Sequence, residues 1–187
     1  MPVTQVGICN SALIKVGGSV IQSLTQDTKS AQILNAIYAH IRNEVLRAHK
    51  WKFAMKRAIL SPLATTPEFE YNYQYTVPLD CLRVVSVDDD KYAWTREGEY
   101  ILSDNEAGLE VLYIYRNEDE SSWDSSFSET FAWRLAGEIA YAMTQSTERT
   151  KTCMEGYKES LAYARSFSST EGTMKDFQVD VWTDSRK

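Results

Sequence analysis

Only two histidines occur in the chain, His40 and His49, and they bound the acid–base and metal chemistry open to it. Nine positions separate them, so they lack the i, i+4 spacing that lets two helical imidazoles share a metal ion. Both read as structural. The three cysteines, Cys9, Cys81 and Cys153, are odd in number and far apart. That pattern fits buried thiols in a reducing cytoplasm, not a disulfide framework or a zinc site. Cys81 follows Asp80 in Val-Pro-Leu-Asp-Cys-Leu. A thiol nucleophile needs a base and an orienting partner, whereas Pro-Leu-Asp reads as a turn entering a strand. The runs Asp88-Asp89-Asp90 and Glu118-Asp119-Glu120 offer hard oxygen ligands, but neither has the spaced positions and turn glycine of a calcium loop. They read as solvated turns. Carboxylate pairs suited to glycoside cleavage arise in any acidic chain, and nothing singles one out. Gly7, Gly17, Gly18 and Gly98 form no phosphate-binding loop. No catalytic, cofactor-binding or metal-ligating residue is therefore assigned, and an enzyme is not expected.

A chain of 187 residues with 43% hydrophobic content can bury one core, with or without an insertion. Twenty basic against 26 acidic side chains give a net charge of −6, which argues against a protein that merely coats nucleic acid. No apolar run approaches the roughly 18 residues of a membrane span. The opening MPVTQVGIC lacks the basic-then-apolar order of a signal peptide. The charge is uneven. Residues 1–64 hold eight basic and two acidic side chains, net +6; residues 65–130 hold four and sixteen, net −12. A basic first third beside an acidic middle can be two solvated faces of a monomer. It can also be two complementary faces of neighbouring copies. In the second reading Arg42, Arg47 and Arg57 meet Asp88, Asp89 and Asp90 across a subunit interface.

The elements that would hold these residues follow from periodicity. Thr4 can cap a helix to about Val16, ended by Gly17-Gly18. Asp27 or Thr28 can cap a second helix, with Ala31, Leu34, Ile37, Tyr38, Ile41, Val45 and Ala48 on one face. Arg42, Lys50, Lys52, Lys56 and Arg57 make its end basic, which suits the negative pole of the helix dipole. Pro62 and Pro67 bracket a linker. The period then falls to two at Tyr71, Tyr73 and Tyr75, and further strands are predicted at Leu82–Val87, Tyr92–Thr95, Tyr100–Ser103 and Leu109–Tyr115. Ser126-Phe127-Ser128-Glu129 matches a capping box opening a third helix to about Gln145. A fourth helix runs from about Glu148 to Phe167, with Cys153 or Met154, Tyr157, Leu161 and Ala164 inward.

The fold class predicted is α+β. A bundle of about four helices, residues 1–61 and 126–167, carries a small, mostly antiparallel, acidic β-rich insertion at 62–125. Residues 168–187 stand apart. Met174, Phe177, Val179, Val181 and Trp182 are large apolar residues, which a fraying tail lacks. Two readings stand. Either Phe177 and Trp182 fold back on their own subunit, or Met174, Phe177, Val181 and Trp182 anchor a docking arm on a partner or a neighbour.

One stretch, Asn10 to Phe53, carries more than local physics. A short helix ending in Gly-Gly, a Ser-Leu turn, a helix beginning near Ser30-Ala31 and a His-x-Trp-x-Phe-Ala exit resemble the opening of the tail tubular protein A family. These are the head-to-tail adaptors of short-tailed, T7-like bacteriophages. The resemblance is clearest over residues 8–60 and continues as an order of elements to about residue 168. It implies a helical bundle with a β-rich insertion. It also implies a virion protein made in the host cytoplasm, in a ring of about twelve copies. Such a ring would join the portal protein to the tail nozzle and form part of the genome ejection channel. Genomic DNA would pass without specific binding; no cofactor and no membrane would be involved. The alternative is a small cytoplasmic nucleic-acid-binding module that uses Arg42–Arg57 with Trp51 and Phe53 interleaved. Against it, Trp51 and Phe53 also read as anchors of the second helix to the core.

Overall fold

The computed structural model describes residues 3–88 and 91–170. Thr4 is extended, and its hydroxyl accepts the Gly7 N–H at 3.1 Å, which opens α1 at Gln5–Val16. Gly17, at φ 79, closes it; the N–H groups of Gly17 and Gly18 return to the Ile14 and Leu13 carbonyls at 3.0 and 2.8 Å. A side chain at Gly17 would be strained there, because Cβ disfavours the left-handed region. Asn10 then pins the connection to α1: its side chain accepts from Ile21 N at 2.8 Å and donates to Ile21 O at 2.9 Å. Thr28 caps α2, Lys29–Ala48. The stripe read from the sequence buries Ala31, Leu34, Tyr38, Ile41 and Val45, joined by Leu46 and by Arg42.

The third helix departs from the capping box read at Ser126. Asp124 is the cap, its carboxylate accepting the Ser126 N–H at 2.6 Å, and α3 spans Ser125–Thr144. Glu129 does not return to the helix start; it reaches Lys15 of α1 at 2.7 Å. An aspartate at the N-cap competes well with serine, and here it sets the boundary two residues earlier than the serine would. Gln145, at φ 52, ends α3, and α4 follows at Thr147–Thr170. The two helices cross closely at Gly156, where an added Cβ would lie 2.7 Å from the Trp133 ring.

The first strand was not expected. The residues after Trp51 make a 3-10 turn, Lys52–Ala54, and then β1, Met55–Leu60. Residues read as the basic exit of a helix and the end of the bundle thus belong to a sheet. The others are β2 (Tyr73–Thr76), β3 (Cys81–Val87), β4 (Trp94–Glu97), β5 (Tyr100–Ser103) and β6 (Leu109–Tyr115). They form two antiparallel three-stranded sheets, ordered β1-β6-β3 and β2-β5-β4. β4 and β5 are joined by Gly98-Glu99, with Gly98 at φ 57 in the first loop position, as a tight hairpin turn of that type requires.

The α+β arrangement has three layers. One face of the first sheet, through Ile114, Met55, Leu82 and Val85, packs on the helical core. The other, through Ala58, Leu60, Leu109, Val111 and Tyr113, packs on Tyr75 and Ile101 of the second sheet. Alternation along β6 makes this double burial possible, since successive side chains point to opposite faces. At the joint between helices and sheet sits an aromatic cluster. Phe127 is fully buried, and its ring centroid lies 4.9 Å from Trp51, 5.0 Å from Phe53 and 5.0 Å from Trp123. Among the described residues no helix is long and apolar enough to cross a membrane.

Candidate interaction surfaces

A helix ends with carbonyls that lack intrahelical partners, and α2 recruits donors for them from its own exit and from far along the chain. Trp51 Nε1 donates to Val45 O at 2.9 Å. Arg83 of β3 donates to Arg47 O at 3.2 Å, and Arg165 of α4 donates to Ala48 O at 3.0 Å. The negative pole of the helix favours these cations. Arg47, Lys50 and Lys52 are exposed around the same point, as are Arg83 and Arg165. Among the described residues none of the five is in an ion pair. His49 sits in their midst, edge-on to Trp51 at 5.0 Å. Burial, then the charges of Arg165, Lys50, Lys52 and Arg83, hold its imidazole below the usual pKa. Its Nε2 is buried without a hydrogen-bond partner among the described residues, which marks the neutral form as the one the fold accommodates.

The residues read as a subunit interface fall in different places. Arg42 does not face outward. Its side chain is 8% exposed and donates to Glu118 at 2.6 Å and to Asn43 at 3.2 Å. This corrects its reading as an interface cation: a guanidinium on the buried stripe needs a partner in its own chain. Arg47 belongs to the exposed basic cluster. Arg57 is exposed on β1, where it lines a cleft of about 310 Å³ with Ile59, Ser86, Glu110 and Leu112. Asp88, at φ 47, turns inward to the chain: its carboxylate accepts from Glu110 N at 2.8 Å and Asn105 Nδ2 at 2.7 Å, bracing the end of β3. Asp89 and Asp90 lie outside the described residues, as do Met174, Phe177, Val181 and Trp182.

The groups that could do chemistry are dispersed. Burial pushes the Cys9 thiol up to about 12, aided by Glu120. Burial also raises Cys81 and Cys153, and a raised thiol is a poor nucleophile. Asp80 is held low: burial opposes this, but bonds from Lys56 at 2.6 Å and Tyr113 at 3.2 Å outweigh it. It serves as a junction between β1 and β6. His40 is exposed on α2, in a shallow cleft with Glu44, Arg47 and Leu82. Among the described residues no group of three His, Cys, Asp or Glu side chains could hold a metal ion.

No protein-family model and no curated protein matches this chain.

One surface was missed by the sequence reading. On the outer side of the second sheet the segment Pro67–Tyr71 arches over β2, β4 and β5, enclosing a groove of about 410 Å³. Glu68, Phe69, Glu70, Glu97 and Tyr100 line it, with Phe69 79% exposed. Glu70 sits at φ 72, and Tyr71 N donates to Phe69 O at 2.9 Å, a γ-turn that is rare for a non-glycine residue. The signal was present as Glu-Phe-Glu-Tyr after Pro67. Its meaning depends on Glu97 and Tyr100, nearly thirty residues on.

Proposed function

We propose that the chain is a non-enzymatic head-to-tail adaptor of a short-tailed bacteriophage. In this reading it forms a ring between portal protein and tail nozzle, through which the genome leaves. The observation that carries it is the order of elements. A Gly-Gly-terminated α1, a long α2 and an aromatic exit precede a β-rich insertion and a closing helical pair, the order implied by the resemblance, which is clearest over residues 8–60 and continues as an order of elements to about residue 168. The aromatic exit supports it in detail, because Trp51 and Phe53 anchor α2 to α3 through Phe127. Helices would build the ring, and the sheets would face the nozzle. Residues 168–187 would dock on the portal or on an adjacent subunit through Met174, Phe177, Val181 and Trp182. Negative-stain imaging of the purified chain mixed with candidate portal tests the reading: rings capping the portal are expected, and absence of any portal-bound assembly overturns it. Truncation after Phe167 should leave a folded protein that fails to join the portal; normal attachment removes the docking role of the arm.

The nucleic-acid-binding alternative has one observation in its favour, the cations Lys50, Lys52, Arg83 and Arg165 around His49, none of them in an ion pair among the described residues. Phosphate neutralisation by such a cluster is strongly salt-dependent. A conduit should not hold duplex tightly, so the adaptor reading expects no tight DNA binding at physiological salt. Nanomolar or sequence-specific binding in a gel-shift assay would favour the alternative.

A further inference from the structure

The acidic groove and the basic cluster lie in different layers, one on the outer face of the second sheet and the other at the end of α2 in the helical layer. Each is incomplete on its own. The groove has three carboxylates, Glu68, Glu70 and Glu97, and among the described residues no cation in its lining. Among the described residues none of the three is in an ion pair. Its walls are aromatic, with Phe69 79% and Tyr100 40% exposed. Carboxylates beside aromatic faces recognise an ammonium or guanidinium, since the ring quadrupole adds to the charge attraction. The cluster presents four such groups around His49, with Arg47 exposed beside them at the end of α2. Phe69 is held outward by a turn whose left-handed glutamate is disfavoured, so the exposed ring has no evident role within its own chain.

We infer that the groove under Phe69 receives the basic end of α2 from a second copy of this chain, with Lys50, Lys52 or Arg47 entering between Phe69 and Tyr100. The inference rests on the ring reading and names the surfaces of its contact. Because groove and cluster are different patches, the contact is head-to-tail. An open series keeps one free groove at one end and one free cluster at the other until it closes. Local charge supplies specificity: groove against groove, or cluster against cluster, brings like charges together. This assignment replaces Arg42 and Asp88, which are engaged within the chain, by Lys50, Lys52, Glu68, Glu70 and Glu97.

The test uses the full-length chain. Equal amounts of unlabelled and 15N-labelled protein are treated at high concentration with a zero-length carbodiimide, and crosslinked peptides are identified by mass spectrometry. Mixed-isotope pairs joining Lys50 or Lys52 to Glu68, Glu70 or Glu97 are expected; inter-copy crosslinks confined to other residues overturn the inference. Sedimentation at low and high salt then compares three variants, each checked for fold by circular dichroism. Glu68→Lys/Glu70→Lys/Glu97→Lys and Arg47→Glu/Lys50→Glu/Lys52→Glu should each weaken self-association at least tenfold. The chain carrying all six substitutions should recover it, because its reversed groove meets a reversed cluster. Wild-type association by either triple variant, or no recovery by a folded six-fold variant, overturns the groove assignment and leaves the ring reading intact. A wild-type chain that associates neither alone nor with portal overturns both.

Discussion

Phe127 is the side chain through which helices and sheet act as one body, and shortening it should show this quantitatively. Its ring is fully buried and meets Trp51, Phe53 and Trp123 edge-on at 4.9, 5.0 and 5.0 Å, with Phe131 stacked at 6.1 Å. Replacing it by alanine removes the ring and leaves a cavity that rigid neighbours cannot fill, at about 3–5 kcal/mol. That is a large fraction of the ~5–15 kcal/mol by which a domain is stable. Phe127→Leu separates volume from geometry. Leucine restores most of the buried area, so the remaining loss is the edge-on interactions, each about 0.5–1.5 kcal/mol beyond area. The three share one ring and are not additive, so the low end of their sum, about 1.5 kcal/mol, is expected. Urea denaturation should be followed by far-ultraviolet circular dichroism, since Trp51 and Trp123 touch the mutated site and would bias fluorescence. A Phe127→Leu chain within about 0.5 kcal/mol of wild type, beside a Phe127→Ala chain with the full loss, would show that ring geometry contributes nothing beyond area.

Further outcomes concern packing, a side-chain brace and pH. Gly156→Ala puts a methyl 2.7 Å from the Trp133 ring; overpacking of about 1–3 kcal/mol should outweigh the ~1 kcal/mol gained in helix propensity, lowering the urea midpoint. Gly137→Ala, opposed by the flexible Met154 side chain, should be milder. Asn10→Ala removes both bonds to Ile21 and leaves partly buried backbone groups unsatisfied, at about 1–3 kcal/mol; a change below 0.5 would mean water replaces them. For His49 the folded pKa lies below the unfolded 6.5, so the unfolded state takes up its proton first and stability falls as pH drops through that value. His49→Gln should flatten the urea midpoint between pH 7 and the folded pKa, and an unchanged slope would place that titration elsewhere. The Asp80 contribution, from a carboxyl held below the usual aspartate value, is lost only in a lower window, as pH falls through the folded value.

The parts of this fold that the sequence disclosed are those set by neighbours within a few residues. Thr4, Gly17 and Thr28 bound their helices where capping chemistry puts them, the two-residue period at the tyrosines found β2 to within two residues, and the strand read at Leu82–Val87 is β3 with one residue added. β1 was invisible because Met-Lys-Arg-Ala-Ile-Leu has no clean alternation. It is a strand because Leu109–Tyr115 offers a ladder six pairs long, which no local pattern reveals. The cap of α3 was misplaced for a subtler reason. Asp124 and Ser126 are both good caps, and Glu129, which would have completed the box, is drawn away by Lys15, 114 residues distant.

The same distinction separates the charges that can act outside the chain from those that cannot. Arg42, Arg47, Lys50 and Lys52 look alike in sequence, a basic run on one helix and its exit. Arg42 falls on the buried stripe at i+4 from Tyr38 and is claimed by Glu118, whereas Arg47, Lys50 and Lys52 fall off the stripe and, among the described residues, enter no ion pair. Arg83 and Arg165 join them for a backbone reason, the unfilled carbonyls at the end of α2, so a helix terminus concentrates positive charge that no residue count could assign to one place. A segment total of +6 therefore understates the local field at His49 and overstates it at Arg42. Reversing Arg42 together with Arg47 and Arg57 would conflate a broken internal pair with a broken contact. Reversing Arg47, Lys50 and Lys52 disturbs no ion pair among the described residues, so a loss of assembly there reports on the surface itself.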